Sequence, residues 1–344
     1  MNQATALTPS PSGVRERGWR FVLPALTLFL LVPAVPQLRV LFPVEQTVLL
    51  VAPAVAALGI VAWLRGGRTW LALTWLGVSA WLLVRPLQGT GSYDFLVRGW
   101  ALLLAAAFAL VNLVARGRSF FERALAATGL AFALALVVTL VSGHSPAAAR
   151  DNLAEELDRR VAASSAAWTA GTQSPEWQRL RSQYPRFARL MEEGELRWRE
   201  LPRFTLRFFP ALLALESLAA LALAWSLFHR MSRHRVGPPL APLRAFRFSD
   251  QLVWGLIAGL TIALVPGLAA ARDFGINLVV FFGCLFALRG LGVVIWFVAP
   301  RRLVAAAVLL VAIAFWPIFG ALTLALGLGD TWVDWRGRSR PATT

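Results

Sequence analysis

Two charges stand inside long apolar blocks, and no chemistry elsewhere in the chain is as conspicuous. Glu216 lies in Ala214-Leu215-Glu216-Ser217-Leu218, and Arg289 in Ala287-Leu288-Arg289-Gly290-Leu291. A charge at the centre of a membrane helix costs about 2.5–3.5 kcal/mol on insertion scales, so such residues pair, line a polar cavity or bind something. The two have opposite sign and similar depth in their blocks. Ala219 and Ala220 adjoin Glu216, and Gly290 and Gly292 flank Arg289, so the helices that carry them can approach closely. The expectation is that Glu216 and Arg289 pair or share one polar cavity, either as a register-fixing ion pair or as a solute or proton site. Asn112 and Asn277 join them as candidate intramembrane polar residues able to hydrogen-bond across helices.

Other reactive patterns are missing from the sequence. There is no G-x-x-x-x-G-K-[ST] loop to cradle phosphates, no H-E-x-x-H, no G-x-S-x-G and no paired cysteine motif. The single Cys284 sits in an apolar block. The three histidines, His144, His229 and His234, have no acidic cluster to complete a metal site, and the run His229-Arg230-Met231-Ser232-Arg233-His234 reads as a basic membrane anchor. The expectation is no catalytic residue, no cofactor, no metal and no enzyme activity.

These residues must be positioned by membrane helices. The chain has 344 residues, 58% of them hydrophobic, with only 15% charged against a usual share of about 25%. Mean hydropathy is +0.62. That composition excludes a soluble globular enzyme and a disordered chain alike. The net charge of +16 does not signal nucleic acid, because the arginines punctuate apolar blocks rather than forming one face. All 34 basic residues are Arg, a bias that fits a GC-rich bacterial genome.

A membrane helix needs about 20 mostly apolar residues. The blocks that qualify are Phe21–Pro36, Gln46–Leu64, Thr69–Val84, Tyr93–Ala115, Phe120–Val141, Phe204–Leu227, Gln251–Ala271, Asn277–Val298 and Leu303–Leu328. The first, short and broken by prolines, reads as an uncleaved helix. The fold expected is therefore an all-α, polytopic membrane bundle of eight or nine helices. It divides into a tail at 1–20, a five-helix bundle at 21–141, an insert at 142–203, a four-helix bundle at 204–328 and a polar tail at 329–344.

Arginine placement orients it. With the N-terminus inside, Arg15, Arg17, Arg20, Arg65, Arg68, Arg116, Arg118, Arg123, Arg301 and Arg302 all fall on the cytoplasmic side. So does a basic loop carrying Arg230, Arg233, Arg235, Arg244 and Arg247, while the short outer loops keep only Arg39, Arg85 and Arg272. Nine crossings would put Arg336, Arg338 and Arg340 outside, unless the last block bends at Pro317 or Gly320 and returns them.

The insert holds nine of the 18 acidic residues and ten arginines. Leu153, Leu157, Val161 and Trp168 keep helical spacing, as do Trp177, Leu180, Tyr184 and Phe187. Ser174-Pro175 reads as a helix start, and Pro185 as a kink or restart. In the N-in arrangement the insert is extracytoplasmic. Its stripe at Trp177, Leu180, Tyr184 and Phe187 is expected to pack on its own bundle, with the lipid interface or a partner as the alternatives.

Two stretches resemble a known family. One is Asn277-Leu-Val-Val-Phe-Phe-Gly-Cys-Leu-Phe-Ala-Leu-Arg-Gly-Leu-Gly-Val-Val with Arg301-Arg302 after it; the other is Gly327-Leu-Gly-Asp330-Thr-Trp-Val-Asp334-Trp-Arg336. Together they resemble the YybS-like family of bacterial membrane proteins, a domain of unknown function. The likeness extends back through Asn152-Leu-Ala-Glu-Glu-Leu and Leu201-Pro202. The family pattern has a neutral amide where this chain has Arg289, a departure that favours a local partnership with Glu216. The family looks related to the S components of energy-coupling factor transporters, which capture a solute in a helical bundle and borrow ATPase subunits. The resemblance implies a solute-binding or transport-related subunit of the bacterial inner membrane. Its partners would be the lipid bilayer, a small-molecule ligand and other membrane subunits or a separate ATPase. The rival expectation is a non-transporting scaffold acting through the insert and the basic loop.

Overall fold

The structure, a computed structural model, describes residues 18–20, 22–85, 91–115, 117–143, 146–198, 201–298 and 302–338. Among them no strand occurs. Arg15, Arg17, Phe21, Arg116, His144, Arg301 and Arg340, named above, lie outside the described residues.

The helices in chain order are α1 Val22–Leu31, α2 Pro36–Arg39, α3 Val48–Leu64, α4 Thr69–Val84, α5 Gly91–Val114, α6 Phe120–Val141, α7 Pro146–Thr172, α8 Pro175–Gln183, α9 Pro185–Trp198, α10 Leu201–Met231, α11 Val253–Leu264, α12 Arg272–Val298, α13 Arg302–Ala314, α14 Trp316–Val333 and α15 Trp335–Arg338. Four stretches are long and apolar enough to cross a membrane: Gly91–Val114, Phe120–Val141, Leu201–Met231 and Pro266–Val298; several others are apolar but shorter.

Two helices organise the rest. α3 is apolar on every side and buried from Leu49 to Gly59, as expected for a helix with no solvent face. It packs between α4, α5 and α10. α10, 31 residues and so about 45 Å long, joins the two halves, packing on α3 and α6 of the first and on α12 of the second. The outer surface is apolar: Trp70, Leu73 and Trp81 of α4 and Leu136, Leu140 and Val141 of α6 are exposed, the pattern of lipid-facing walls. Local signals agree with the helix starts. Ser119 and Glu122 form a capping box at α6, with Ser119 Oγ accepting from the Glu122 N–H and Glu122 Oε2 from the Ser119 N–H. Ser174 caps α8, with Pro175 at its first position.

Three expected blocks come out differently. The first is a ten-residue α1 followed by a 3-10 turn, half a span in length. The block Gln251–Ala271 breaks at Val265-Pro266 into α11 and a 3-10 segment, because proline has no N–H to continue the ladder. The last block is two helices, broken at Phe315 just before Trp316-Pro317.

That last break decides where the C-terminus lies relative to the basic loop. On α12, Gly292 faces the Leu243 carbonyl of the loop. After α14, Arg336 donates to the Arg244 and Phe246 carbonyls at 3.1 and 2.9 Å. The chain thus leaves α12 on the loop face and comes back to it, with α13 and α14 as an out-and-back pair. The tail shares a face with the basic loop, the return expected if the last block bends.

The insert is three helices, and only α7 is docked by its apolar side. Leu153 and Leu157 are buried, and α7 packs on α5 and α10. Trp177 meets Trp168 edge to face at 5.3 Å, and Leu180 is half-buried. Tyr184 and Phe187 stay exposed, with Leu190 and Met191 beside Phe187 on the same side of α9. The lower half of the stripe therefore does not cover the bundle, contrary to expectation; the side of α9 turned inward carries Ala188 and Glu195 instead.

Candidate functional site

Glu216 and Arg289 do not pair. Each is buried, Glu216 bonded to the backbone of the link between α2 and α3, and Arg289 to acidic side chains near the end of α14 and just before α11.

Glu216 belongs to a knot at the insert end. Its Oε2 accepts the Val44 N–H at 2.9 Å, while Oε1 has no hydrogen-bond partner among the described residues. Val44 lies in the non-helical link between α2 and α3, which is held from every side. Tyr93 donates its hydroxyl to the Pro43 carbonyl. Arg160 donates to the Phe42 carbonyl at 2.9 Å, lies over the Tyr93 ring and pairs with the buried Glu156 at 2.9 Å. Thr47 Oγ1 donates to the Phe29 carbonyl at 2.9 Å. Backbone with no helical partner must be satisfied inside an apolar molecule, and these side chains do that.

Arg289 belongs to a knot at the basic-loop end. Its Nε donates to Asp330 Oδ2 at 2.9 Å and its Nη1 to Asp250 Oδ1 at 2.6 Å, with the guanidinium over Phe248. Arg336 meets the same Asp330 oxygen at 2.6 Å. Arg247 pairs with Asp334, holding that carboxyl below the usual aspartate range. The Asp330, Asp334 and Arg336 of the tail motif are thus clasp residues. Asp334 also takes the left-handed conformation (φ 45°) between α14 and α15 and accepts the Gly337 N–H.

The two asparagines are similarly engaged. Asn112 donates from Nδ2 to the Phe108 carbonyl at 2.8 Å and accepts from Arg123 at 3.1 Å. Arg123 reaches on to the Val236 carbonyl at 3.2 Å. His229 completes this second loop-side knot, its ring nitrogens 2.9 Å from the Trp225 and 3.1 Å from the Gly237 carbonyl. It is buried rather than interfacial. Of the remaining loop arginines, Arg230 folds back on the Ser226 carbonyl at 2.7 Å, and Arg233, Arg235 and Arg244 are exposed.

Asn277 repairs a kink. Pro210 interrupts α10, and the Asn277 amide of α12 inserts there. Its Oδ1 accepts the Ala211 N–H at 3.1 Å, while its Nδ2 donates to the Arg207 carbonyl at 2.9 Å.

What the sequence did not signal is a cavity of about 900 Å³ walled by α5, α6, α7, α10 and α12. That is near the top of the range of ligand pockets, about 300–1,000 Å³. Its body is apolar: Trp100, Leu103, Phe132, Phe281 and Phe282 are among its walls. Gly99 and Gly129 line it too, with open space where a Cβ would stand. The Thr128 and Thr139 hydroxyls are spent on their own helix carbonyls. Of the four polar candidates only Asn277 reaches the wall, and its amide is committed to the kink. Charge occurs in the lining at Arg150 in the first turns of α7, the insert's own first helix, and at Arg207 and Asp273 on the ends of α10 and α12 nearest the insert. The cavity is an alternation of small and bulky apolar residues on separate helices, a pattern that sequence cannot distinguish from ordinary packing.

Comparison with curated proteins and with solved structures returns no match. The sequence pattern of a family described as predicted membrane protein (DUF2232) matches residues 26–331, from α1 to the Asp330 clasp. The chain belongs to this family of membrane proteins.

Proposed function

We propose that the chain is a solute-binding, transport-related subunit of a bacterial cytoplasmic membrane, with its N-terminus inside, and that it holds its ligand in the cavity between α5, α6, α10 and α12. The observation that carries this is the cavity itself: large, walled by five helices and lined with two glycines that leave space rather than fill it. The ligand is mainly apolar. The buried charges expected to receive a polar solute are engaged in holding loops, so the midplane Glu216–Arg289 site is replaced by this one. The chain has no phosphate-binding loop, which fits an energy source on a separate ATPase subunit.

Gly129→Phe tests the reading, because the ring enters open space. The protein should remain folded and lose a small molecule that co-purifies with the wild type, read by native mass spectrometry. Identical ligand content in both would overturn it.

A second reading has its own observation. The exposed Tyr184, Phe187, Leu190 and Met191 on the insert favour a scaffold that docks another envelope component. It expects a Tyr184→Ser, Phe187→Ser variant to lose function while Gly129→Phe keeps it.

A further inference from the structure

We propose that the cavity selects an anionic amphiphile, its phosphate or carboxylate head held at the rim by Arg150 and Arg207 and its apolar tail lying along α6. The inference rests on the cavity being a binding site and names what it binds.

The lining is polarised along its length. Arg150, Arg207 and Asp273 stand at the insert end, and the lining residues further in are uncharged. The three charges sum to one net positive. Arg207 is paired with Asp273 at 3.6 Å, but both side chains are more than half in the open or close to it, at 50% and 64% exposure. An exposed pair of this kind contributes little, so exchanging it for a ligand anion costs little. A guanidinium carries five donors, enough for Arg207 to keep Asp273 and still take an anionic oxygen. Arg150 is exposed and lines the same cavity.

The depth suits a tail. Along α6 the lining runs from Thr139 near the rim to Leu125, about 20 Å at 1.5 Å per residue. That exceeds half of a hydrocarbon core about 30 Å thick. A free anion would leave this length unfilled, and a tail without a head would leave the net positive charge of the rim unmatched. Phe95, Val138 and Phe274 line the cavity and are exposed, so it is open rather than sealed at the end that carries the arginines, and an amphiphile has a way in there.

The test uses the full-length protein in nanodiscs of neutral phosphatidylcholine. Binding of hexadecyl phosphate is compared with binding of hexadecanol, which has the same tail and no charge. The phosphate should bind at least about tenfold more tightly, the worth of a charge-assisted hydrogen bond. Arg150→Gln with Arg207→Gln should bring it down to the level of hexadecanol and leave hexadecanol unchanged. Arg150→Lys with Arg207→Lys should keep most of the preference. Gly129→Phe should abolish binding of both compounds, and millimolar inorganic phosphate should not compete.

Equal binding of the two amphiphiles, or a preference that survives the glutamine variants, overturns the anionic head while leaving the cavity as a binding site. Competition by inorganic phosphate alone overturns the amphiphile. Unchanged binding in Gly129→Phe sinks the cavity reading and this inference together.

Discussion

At the scale of single residues, the buried polar groups act as fasteners. Asn277 is the clearest case, because its amide supplies a donor and an acceptor beside the interruption made by Pro210. Asn277→Ala would leave the Ala211 N–H and the Arg207 carbonyl without their partner, at a cost of about 1–3 kcal/mol per buried group. Pro210→Ala restores the N–H that α10 lacks and lets the helix close its own ladder. A double-mutant cycle by denaturant titration should therefore show Asn277→Ala costing about 1 kcal/mol or more less in the Pro210→Ala background. Strict additivity would mean that the amide does not serve the kink. The sequence made these residues conspicuous, since charges and amides stand out in apolar blocks, but it did not reveal their partners. Glu216 is bonded to a backbone N–H of the Val44 link, and a backbone group has no signature in residue type. Arg289 was matched to the wrong acid because Asp330 and Asp250 sit at the far end of one helix and at the threshold of another. Only folding brings them to one point.

At the scale of elements, close approach is set by glycine, and the glycines differ in what they permit. Gly290 of α12 and Gly327 of α14 face each other's backbone; a Cβ on Gly290 would overlap the Thr323 carbonyl, and one on Gly327 the Phe286 carbonyl. Small residues of this kind let two membrane helices touch along their main chains. Gly290→Ala or Gly327→Ala should push α14 away and loosen the Asp330 clasp, lowering the unfolding midpoint by an amount equivalent to about 2 kcal/mol or more. Gly129→Ala is the contrast. Nothing lies within 4 Å of its Cβ position, and alanine is the better helix former by about 1 kcal/mol, so the midpoint should hold or rise. If all three variants behave alike, backbone contact is not what joins α12 to α14. Gly255-x-x-x-Gly259 has the spacing of a helix-packing pattern, which sequence alone cannot rank among so many glycines. In the fold Gly259 does meet Leu278 and the Gly275 carbonyl of the neighbouring hairpin arm. The break at Phe315 was half legible, since Pro317 marked the place but not whether the chain would bend or stop, whereas Gln251–Ala271 read as one continuous block despite Pro266.

At the scale of the whole molecule, α10 fixes which features share a side. Its first turns meet the insert and the cavity rim through Arg207, and its last turn meets the loop through His229. The basic loop gathers exposed arginines at Arg233, Arg235, Arg244 and Arg247, and the tail is clasped to it by Arg336. Arginine-rich short loops stay in the cytoplasm. In the proposed orientation, with the N-terminus inside, the insert and the rim arginines open on the outer leaflet, the side from which the proposed ligand would come. Single cysteines in a Cys284→Ser background test this with an impermeant thiol reagent on intact cells. Ser182→Cys in the insert should be labelled directly, whereas Arg233→Cys in the loop and Arg338→Cys at the tail should be labelled only after the membrane is opened. Loop and tail on opposite sides would refute the return path through α13 and α14. A pattern reversed at all three positions would keep that path and turn the molecule over, moving the cavity rim to the inner leaflet and with it the source of any amphiphile that enters.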